Sequence, residues 1–339
     1  MGNKISKLTF SVITSAYNTA KYIGGCIESV INTGYDLNKI EHIIVDDGST
    51  DNTSDVVKKY AKKYPHIKLY RKKNSNWGGV MNYVKNNKLI HNDYATICDS
   101  DDQITKKAFD KINKYAKDDD LIFGCFYRWN GKKQLFPVHT YYYFRSCNVY
   151  SKWKDKNIPP FIWLLHGVYF KKELFYKVDD LRENLHYQDS IMLMHLFRNA
   201  KSVRFVNKML AKYYSTRPNN SSEVINNDSS TLILLNNLQQ MAKYNLPTPI
   251  ATILIYFTKL RKYCVKHKIK FSCTDTPHFN NSNFIIRFAC WLAYFFTGTF
   301  RLFSKTKVKK SNKKKKNKLK NLKKHLKNLK NIKLDRFNF

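Results

Sequence analysis

Hydrophobic and polar positions repeat with two periods along the first two thirds of the chain. "LTFSVITS", "IEHIIVD", "IKLYR", "YATIC" and "DLIFGCFY" are short runs rich in β-branched and aromatic residues, which predict buried strands. Between them lie stretches with apolar residues at helical spacing: "KYIGGCIESVIN", "SDVVKKYAKKY", residues 79–89 and "ITKKAFDKINKYA". Capping-type residues in "DGSTDNT" mark one helix start. Further on, "HGVYFKKELF" predicts a strand running into a helix, and "YQDSIMLMHLFRNA" predicts an amphipathic helix. "SVRFV" and "LAKYYS" predict two short strands. Strand and helix in turn, joined by short connections, predict an α/β fold with a mostly parallel sheet covered on both faces.

The pattern changes after the loop "TRPNNSSEVINNDSS". "STLILLNNLQQMAKYN" and "TPIATILIYFTKLRKYCVKHK" are helical in period, and "FIIRFACWLAYFFTGTFRLF" (284–303) is almost wholly apolar. Its length is close to the roughly 20 residues of a spanning helix. Arg287 and the "TGT" break favour a helix lying in a membrane interface, with a spanning or a core helix as alternatives. The formal net charge of the 339 residues is +36, and much of the excess sits in "KTKVKKSNKKKKNKLKNLKKHLKNLKNIKL". Such a run is a solvated, partly helical segment, or one drawn to anionic lipid or nucleic acid. These shifts predict three regions: an α/β domain over 1–222, a helical region with a membrane-associating segment over 223–303, and a Lys-rich tail over 304–339. The aromatic, irregular stretch from Tyr141 to Trp163 reads as an insertion or loop facing substrate.

The seven cysteines (26, 98, 125, 147, 264, 273, 290) show no metal-ligand spacing, which predicts a reducing compartment and no structural zinc. No secretory signal is expected, because the opening lacks a long apolar core. "MGNKIS" fits a myristoylation pattern, but the Lys/Asn/Ile-rich composition points to a bacterial chain.

Against this basic background the acids are clustered. Asp46 ends the strand "IEHIIVD" with Asp47 directly after it, and Asp99, Asp101 and Asp102 follow "YATIC". A single acid, Asp189, opens the helix after "HYQ". Each has a plain reading as a turn or a helix cap stabilised by the helix dipole. Sites in open α/β sheets, however, form beyond the C-terminal strand ends, where "SAYN", "DDGSTD" and "DSDD" all fall.

Taken together, "FSVITSAYN", "HIIVDDGSTDNT", "ATICDSDD", "HGVYFKKELF" and "YQDSIMLMHLF" resemble a family 2 glycosyltransferase of GT-A fold. The likeness spans roughly Leu8 to Ser222. "VDDGSTDNT" followed about fifty residues later by "DSDD" is its specific part. It implies a Rossmann-like sheet and transfer of a sugar from a nucleotide-sugar, UDP-linked by expectation, with inversion. The hexosyl or N-acetylhexosaminyl class is expected. By the resemblance, the turn at Ala16 and Tyr17 walls the base and Asp47 accepts from the pyrimidine N3–H. Asp99 faces the ribose, while Asp101, supported by Asp102, binds Mn2+ or Mg2+. Asp189 is the general base and Arg217 clamps the diphosphate. A hard cation on aspartate oxygens suits a diphosphate leaving group. A carboxylate across from that group suits deprotonation of an acceptor hydroxyl.

The chain departs from the family pattern in places. "TSA" replaces a proline, Met81 stands where a basic residue is frequent, and Gln188 stands for the usual Glu. No Q-x-x-R-W follows, which argues against a processive synthase. The expected acceptor is a cell-surface glycan, such as a capsule polysaccharide, or a lipid-linked one. The expected place is the cytoplasmic face of the plasma membrane, held there by anionic lipid. A nucleotidylyltransferase would need a Gly-rich basic loop that "SAYNTAKYIG" lacks. A nucleic-acid binder would leave the aspartates unexplained, and the tail lacks interleaved aromatics. An inactive membrane scaffold that kept the fold is the remaining alternative.

Overall fold

The computed structural model describes residues 7–130, 134–138 and 165–217, with positions 233, 237 and 240. The chain divides into two compact units, and every element below belongs to the first, Met1–Lys154 with Trp163–Asn220. The second, Asp155–Ile162 with Ser221–Phe339, falls almost wholly outside the described residues. The expected helical region 223–303, the tail 304–339 and the aromatic stretch Tyr141–Trp163 all lie outside the described residues or nearly so. Among the described residues no helix is long and apolar enough to cross a membrane.

Strands β1 (Phe10–Ala16), β2 (Ile40–Asp46), β3 (Ile67–Arg71) and β4 (Tyr94–Ile97) form a parallel half-sheet in the order β3-β2-β1-β4. Its connections are helices α1 (Ile23–Ile31), α2 (Thr53–Lys63) and α3 (Asn76–Asn86). The α1 face follows from the spacing of its apolar positions: Ile23, Cys26, Ile27 and Val30 are all buried. One cluster joins Ile23, Ile27, Ala16, Ile44, Val57 and Ile67. A second gathers Phe10, Tyr35, Tyr94, Phe109 and Tyr169, with Phe10 stacked on Phe109 at a centroid distance of 4.8 Å. Phe109 belongs to α4 (Ala108–Tyr115), which follows the two-residue strand β5 (Gln103–Ile104).

The sheet continues through β8 (Val168–Lys171), β6 (Leu121–Trp129) and β9 (Val203–Tyr214) to β5, with β7 (Gln134–Val138) paired to β6. Here polarity changes. β8 runs antiparallel to both β4 and β6, whereas β6 and β9 are parallel. The sheet is therefore mixed rather than mostly parallel, because hydrophobic period marks a strand but not its direction. "SVRFV" and "LAKYYS" form one strand, not two. Register shifts against β6 bracket Cys125, and the exposed Asn207 and Lys208 that broke the apolar pattern lie at that irregularity. Cys26, Cys98 and Cys125 are buried free thiols.

Helix α5 (Lys172–Tyr176) follows β8, and α6 (Gln188–Asn199) packs on α3. α3 begins three residues before its expected start, at the unpromising "NWGG". A Cβ on Gly78 would stand 2.6 Å from the Arg182 carbonyl oxygen and 3.1 Å from Gln188 Cγ, so the absence of a side chain lets the loop before α6 close on α3. In an open helix Gly→Ala adds about 0.5–1 kcal/mol of stability. Here the backbone clash outweighs that gain. Gly78→Ala is expected to destabilise by about 1–3 kcal/mol, the usual cost of overpacking. A urea midpoint equal to or above that of the wild type would contradict the close packing of this joint.

Candidate active site

Parallel pairing aligns Ala16 with Asp46 and Ile13 with Ile97, so the C-terminal ends of β2, β1 and β4 stand side by side. The turns that leave them are tied together. Asn18 N–H donates to Ser49 Oγ at 3.0 Å, and Thr50 N–H donates to Asn18 Oδ1 at 2.8 Å. Asp51 Oδ2 accepts from Ala20 N–H at 3.1 Å. Ala16 is buried, while Tyr17 leaves the turn with 49% of its surface exposed, unusual for so large an apolar side chain. Asp46 braces the following turn, accepting from Ser49 N–H at 2.7 Å and from Ser54 Oγ. Asp47 is almost fully buried, with Lys72 Nζ at 2.8 Å from Oδ1 and Ser75 N–H bridging both oxygens at 3.1 and 3.2 Å.

Ser75 precedes α3, and two residues on Trp77 Nε1 donates to Asp99 Oδ1 at 3.0 Å. The start of α3 thus connects the second and fourth strand ends. Asp99 and Asp101 both have pKa values raised above the usual carboxylate range. Burial is the main cause for each, followed by the neighbouring Asp102 charge, and for Asp99 also by Asp101. The ion pair from Arg217 opposes the rise at Asp101, with Nε 2.5 Å from Oδ2. Asp102 is buried. Its Oδ1 accepts from Tyr214 N–H at 2.8 Å, and its Oδ2 lies 3.0 Å from His166 Nδ1.

His166 is the residue that sequence reasoning passed over. Gly167 behind it has φ +72°, and a Cβ there would stand 3.2 Å from the Cys125 carbonyl oxygen. The His166 ring stacks on Tyr213 at 4.2 Å. Burial pulls the imidazole pKa down, but Asp102 first, then Asp99 and Asp189, raise it above its ordinary value. One imidazole therefore senses both the acid cluster and the predicted base. Asp189 sits in the first turn of α6. Burial raises its pKa, and Ser190 N–H and then His166 hold back the rise. Its Oδ1 is buried without a hydrogen-bond donor. Such an oxygen is suited to receive a proton.

Two departures from the family pattern acquire physical reasons. Gln188 is buried and its Oε1 accepts from Arg182 N–H at 2.9 Å, a place where a glutamate would bury a charge. Met81 is buried in α3, where a charged side chain would be desolvated, and the cation beside Asp47 is Lys72, just past β3. Lys72, Ser75, Trp77 and His166 all went unassigned from sequence. The "HGVYF" run marked the place of His166 without marking its role.

The chemistry of the acids fits a hard divalent cation. Asp99 and Asp101 have raised pKa values and crowd against Asp102, whose buried Oδ2 faces the His166 ring at 3.0 Å. Among the described residues no group of three or more His, Cys, Asp or Glu side chains is placed to hold a metal ion by itself. Mg2+ and Mn2+ need only one or two protein carboxylates and complete their shell from substrate phosphates and water.

A curled mixed sheet with acidic turns at its parallel strand ends is the GT-A architecture. Residues 11–174 match the family described as glycosyl transferase family 2. The "Uncharacterized glycosyltransferase MG060" of Mycoplasma genitalium is 34% identical over 294 residues, 85% of this chain and 97% of that protein. The chain belongs to the family 2 glycosyltransferases. Among solved structures, Staphylococcus aureus TarS 1–349 in complex with UDP-GlcNAc aligns with a TM-score of 0.58 at 19% identity, covering 79% of this chain and 77% of that one. The mannosyltransferase PcManGT of Pyrobaculum calidifontis, in complex with GDP-Man and Mn2+, aligns with a TM-score of 0.51 at 13% identity, covering 95% and 86%.

Proposed function

We propose that this glycosyltransferase transfers a sugar, with inversion and metal dependence, from a UDP-sugar to a glycan or lipid-linked acceptor. One observation carries the reading: Asp99, Asp101 and Asp102 stand at the end of β4, and His166 lies within electrostatic reach of both this cluster and Asp189. In this reading the acids bind the donor and Asp189, on a separate element, serves as the base, with His166 between them. UDP-GlcNAc in TarS and GDP-Man with Mn2+ in PcManGT support a nucleotide-sugar and a divalent ion in this architecture.

Tyr17 offers an exposed ring for the base, and Asp47 keeps acceptor capacity on Oδ2, where Ser75 N–H is its weaker partner. Trp77 fixes Asp99 in orientation for the ribose. Asp101, with Asp102 behind it, would hold Mn2+ or Mg2+, which when bound neutralises the charge of the departing diphosphate. Asp189 Oδ1 takes the proton of the acceptor hydroxyl as that oxygen attacks. Its raised pKa makes it a stronger base than an ordinary aspartate. The test is a screen of UDP-, GDP- and dTDP-sugars for nucleotide release with Mn2+ and with a chelator. UDP release from at least one UDP-sugar, lost on chelation, is expected. No release from any donor, or release unchanged by chelation, would contradict the reading.

A further inference from the structure

Arg217 stands three residues beyond the end of β9, and its position is set from both sides. Tyr214, the last residue of that strand, donates its N–H to Asp102 Oδ1 at 2.8 Å, which ties the strand end to the acid cluster. The Arg217 guanidinium carbon lies 5.6 Å over the Tyr22 ring, and Tyr22 meets Tyr214 edge-on at 5.8 Å. From this shelf Arg217 Nε reaches Asp101 Oδ2 at 2.5 Å, with 20% of the arginine side chain and 13% of the aspartate side chain exposed. Nε is the arginine atom that faces the carboxylate, and its approach lowers the Asp101 pKa. The contact is charge against charge, without the paired hydrogen bonds that make a bidentate arginine–carboxylate clamp strong. It holds Asp101 but leaves it exchangeable.

We propose that Arg217 occupies the cation's place on Asp101 before substrate binds, and moves to the donor diphosphate when the metal takes Asp101. The inference rests on the transferase reading above and specifies the order of events at the same site. A divalent ion arriving on Asp101 with Arg217 still in contact would bring three positive charges together in a mostly buried pocket, where their repulsion is poorly screened. The metal on its own must therefore displace an arginine whose ion pair among the described residues is with Asp101. When a nucleotide diphosphate arrives with the metal, its oxygens receive the guanidinium, and the displacement is compensated. Metal and nucleotide then favour each other's binding, and by linkage the effect is the same in both directions. Free metal is held weakly, so the site is completed only around a donor.

The test is Mn2+ binding to the full chain without nucleotide, followed by free-ion EPR, for the wild type, Arg217→Gln and Arg217→Lys. Arg217→Gln is expected to bind Mn2+ alone about fivefold more tightly, at the low end of ordinary coupling. With Mn2+ present it should bind UDP about fivefold more weakly. Arg217→Lys keeps the charge and should stay near the wild type in the first measurement. A role confined to clamping diphosphate would leave Mn2+ affinity without nucleotide unchanged. Unchanged or weaker Mn2+ binding by Arg217→Gln, with UDP and Mn2+ still binding the wild type together, overturns this inference and leaves the transferase reading standing. A wild type that binds neither UDP nor Mn2+, alone or together, overturns both.

Discussion

Asp189→Asn is expected to lower turnover by about 10^2–10^4-fold, the range for losing a positioned general base. Donor affinity should stay within about threefold of the wild type, well under the 1.4 kcal/mol of a tenfold change. The amide keeps the volume of the carboxyl and its place in the first turn of α6. It cannot take a proton. Burial has left Asp189 Oδ1 without a donor, so the substitution breaks no hydrogen bond at that atom. The pH profile provides an independent check. Burial raises the Asp189 pKa, and the base works only when ionised, so the acidic limb of wild-type activity should lie above the ordinary aspartate range. Activity falls as pH drops through that raised pKa. At saturating Mn2+ and donor, which keep Asp99 and Asp101 ionised, the residual activity of Asp189→Asn should lose this limb. An unaltered profile with full turnover would assign Asp189 to a helix cap and nothing more.

Asp101→Asn is expected to fail at an earlier stage. Three carboxylates meet at the end of β4, and Asp101 is the one whose cationic partner comes from outside the sheet, on Arg217. On the proposed reading, removing its charge would remove a cation ligand, and with it the Lewis-acid stabilisation of the leaving diphosphate, which contributes several kcal/mol. At about 4 kcal/mol the loss is about a thousandfold in rate. Unlike Asp189→Asn, it should weaken UDP binding and abolish its dependence on Mn2+. Folding should survive, because relief of crowding with Asp102 offsets the lost ion pair. Turnover within about tenfold of the wild type would place the cation elsewhere.

The two substitutions separate binding from chemistry, and the sequence already marked both residues. Asp99, Asp101 and Asp102 stood out as a candidate cluster because acids are conspicuous in so basic a chain and strand ends are where α/β sheets place their sites, whereas Asp189 was singled out by the family resemblance. The parallel half of the sheet was legible for a similar reason: β-branched runs alternate there with helical spacing. What escaped was decided by contacts between distant segments. Trp77 reads as an aromatic in a glycine-rich turn until α3 brings its indole N–H to Asp99. His166 reads as one histidine before a glycine until β8 sets it between Asp102 and Tyr213. Gly78 and Gly79 weaken a helix by propensity, yet α3 begins before them because the loop at Arg182 needs that space. The antiparallel direction of β8 and the unbroken course of β9 were likewise invisible to hydrophobic period alone.

The central claim is that one cleft holds a cation-bridged donor on Asp101 and a separate base on Asp189. Its most direct measurement is UDP affinity with and without Mn2+ for the wild type, Asp101→Asn and Asp189→Asn. The account predicts tight binding only with Mn2+ in the wild type and in Asp189→Asn, and weak, Mn2+-indifferent binding in Asp101→Asn. UDP binding that ignores Mn2+ in the wild type, or that is lost equally in both variants, would contradict it.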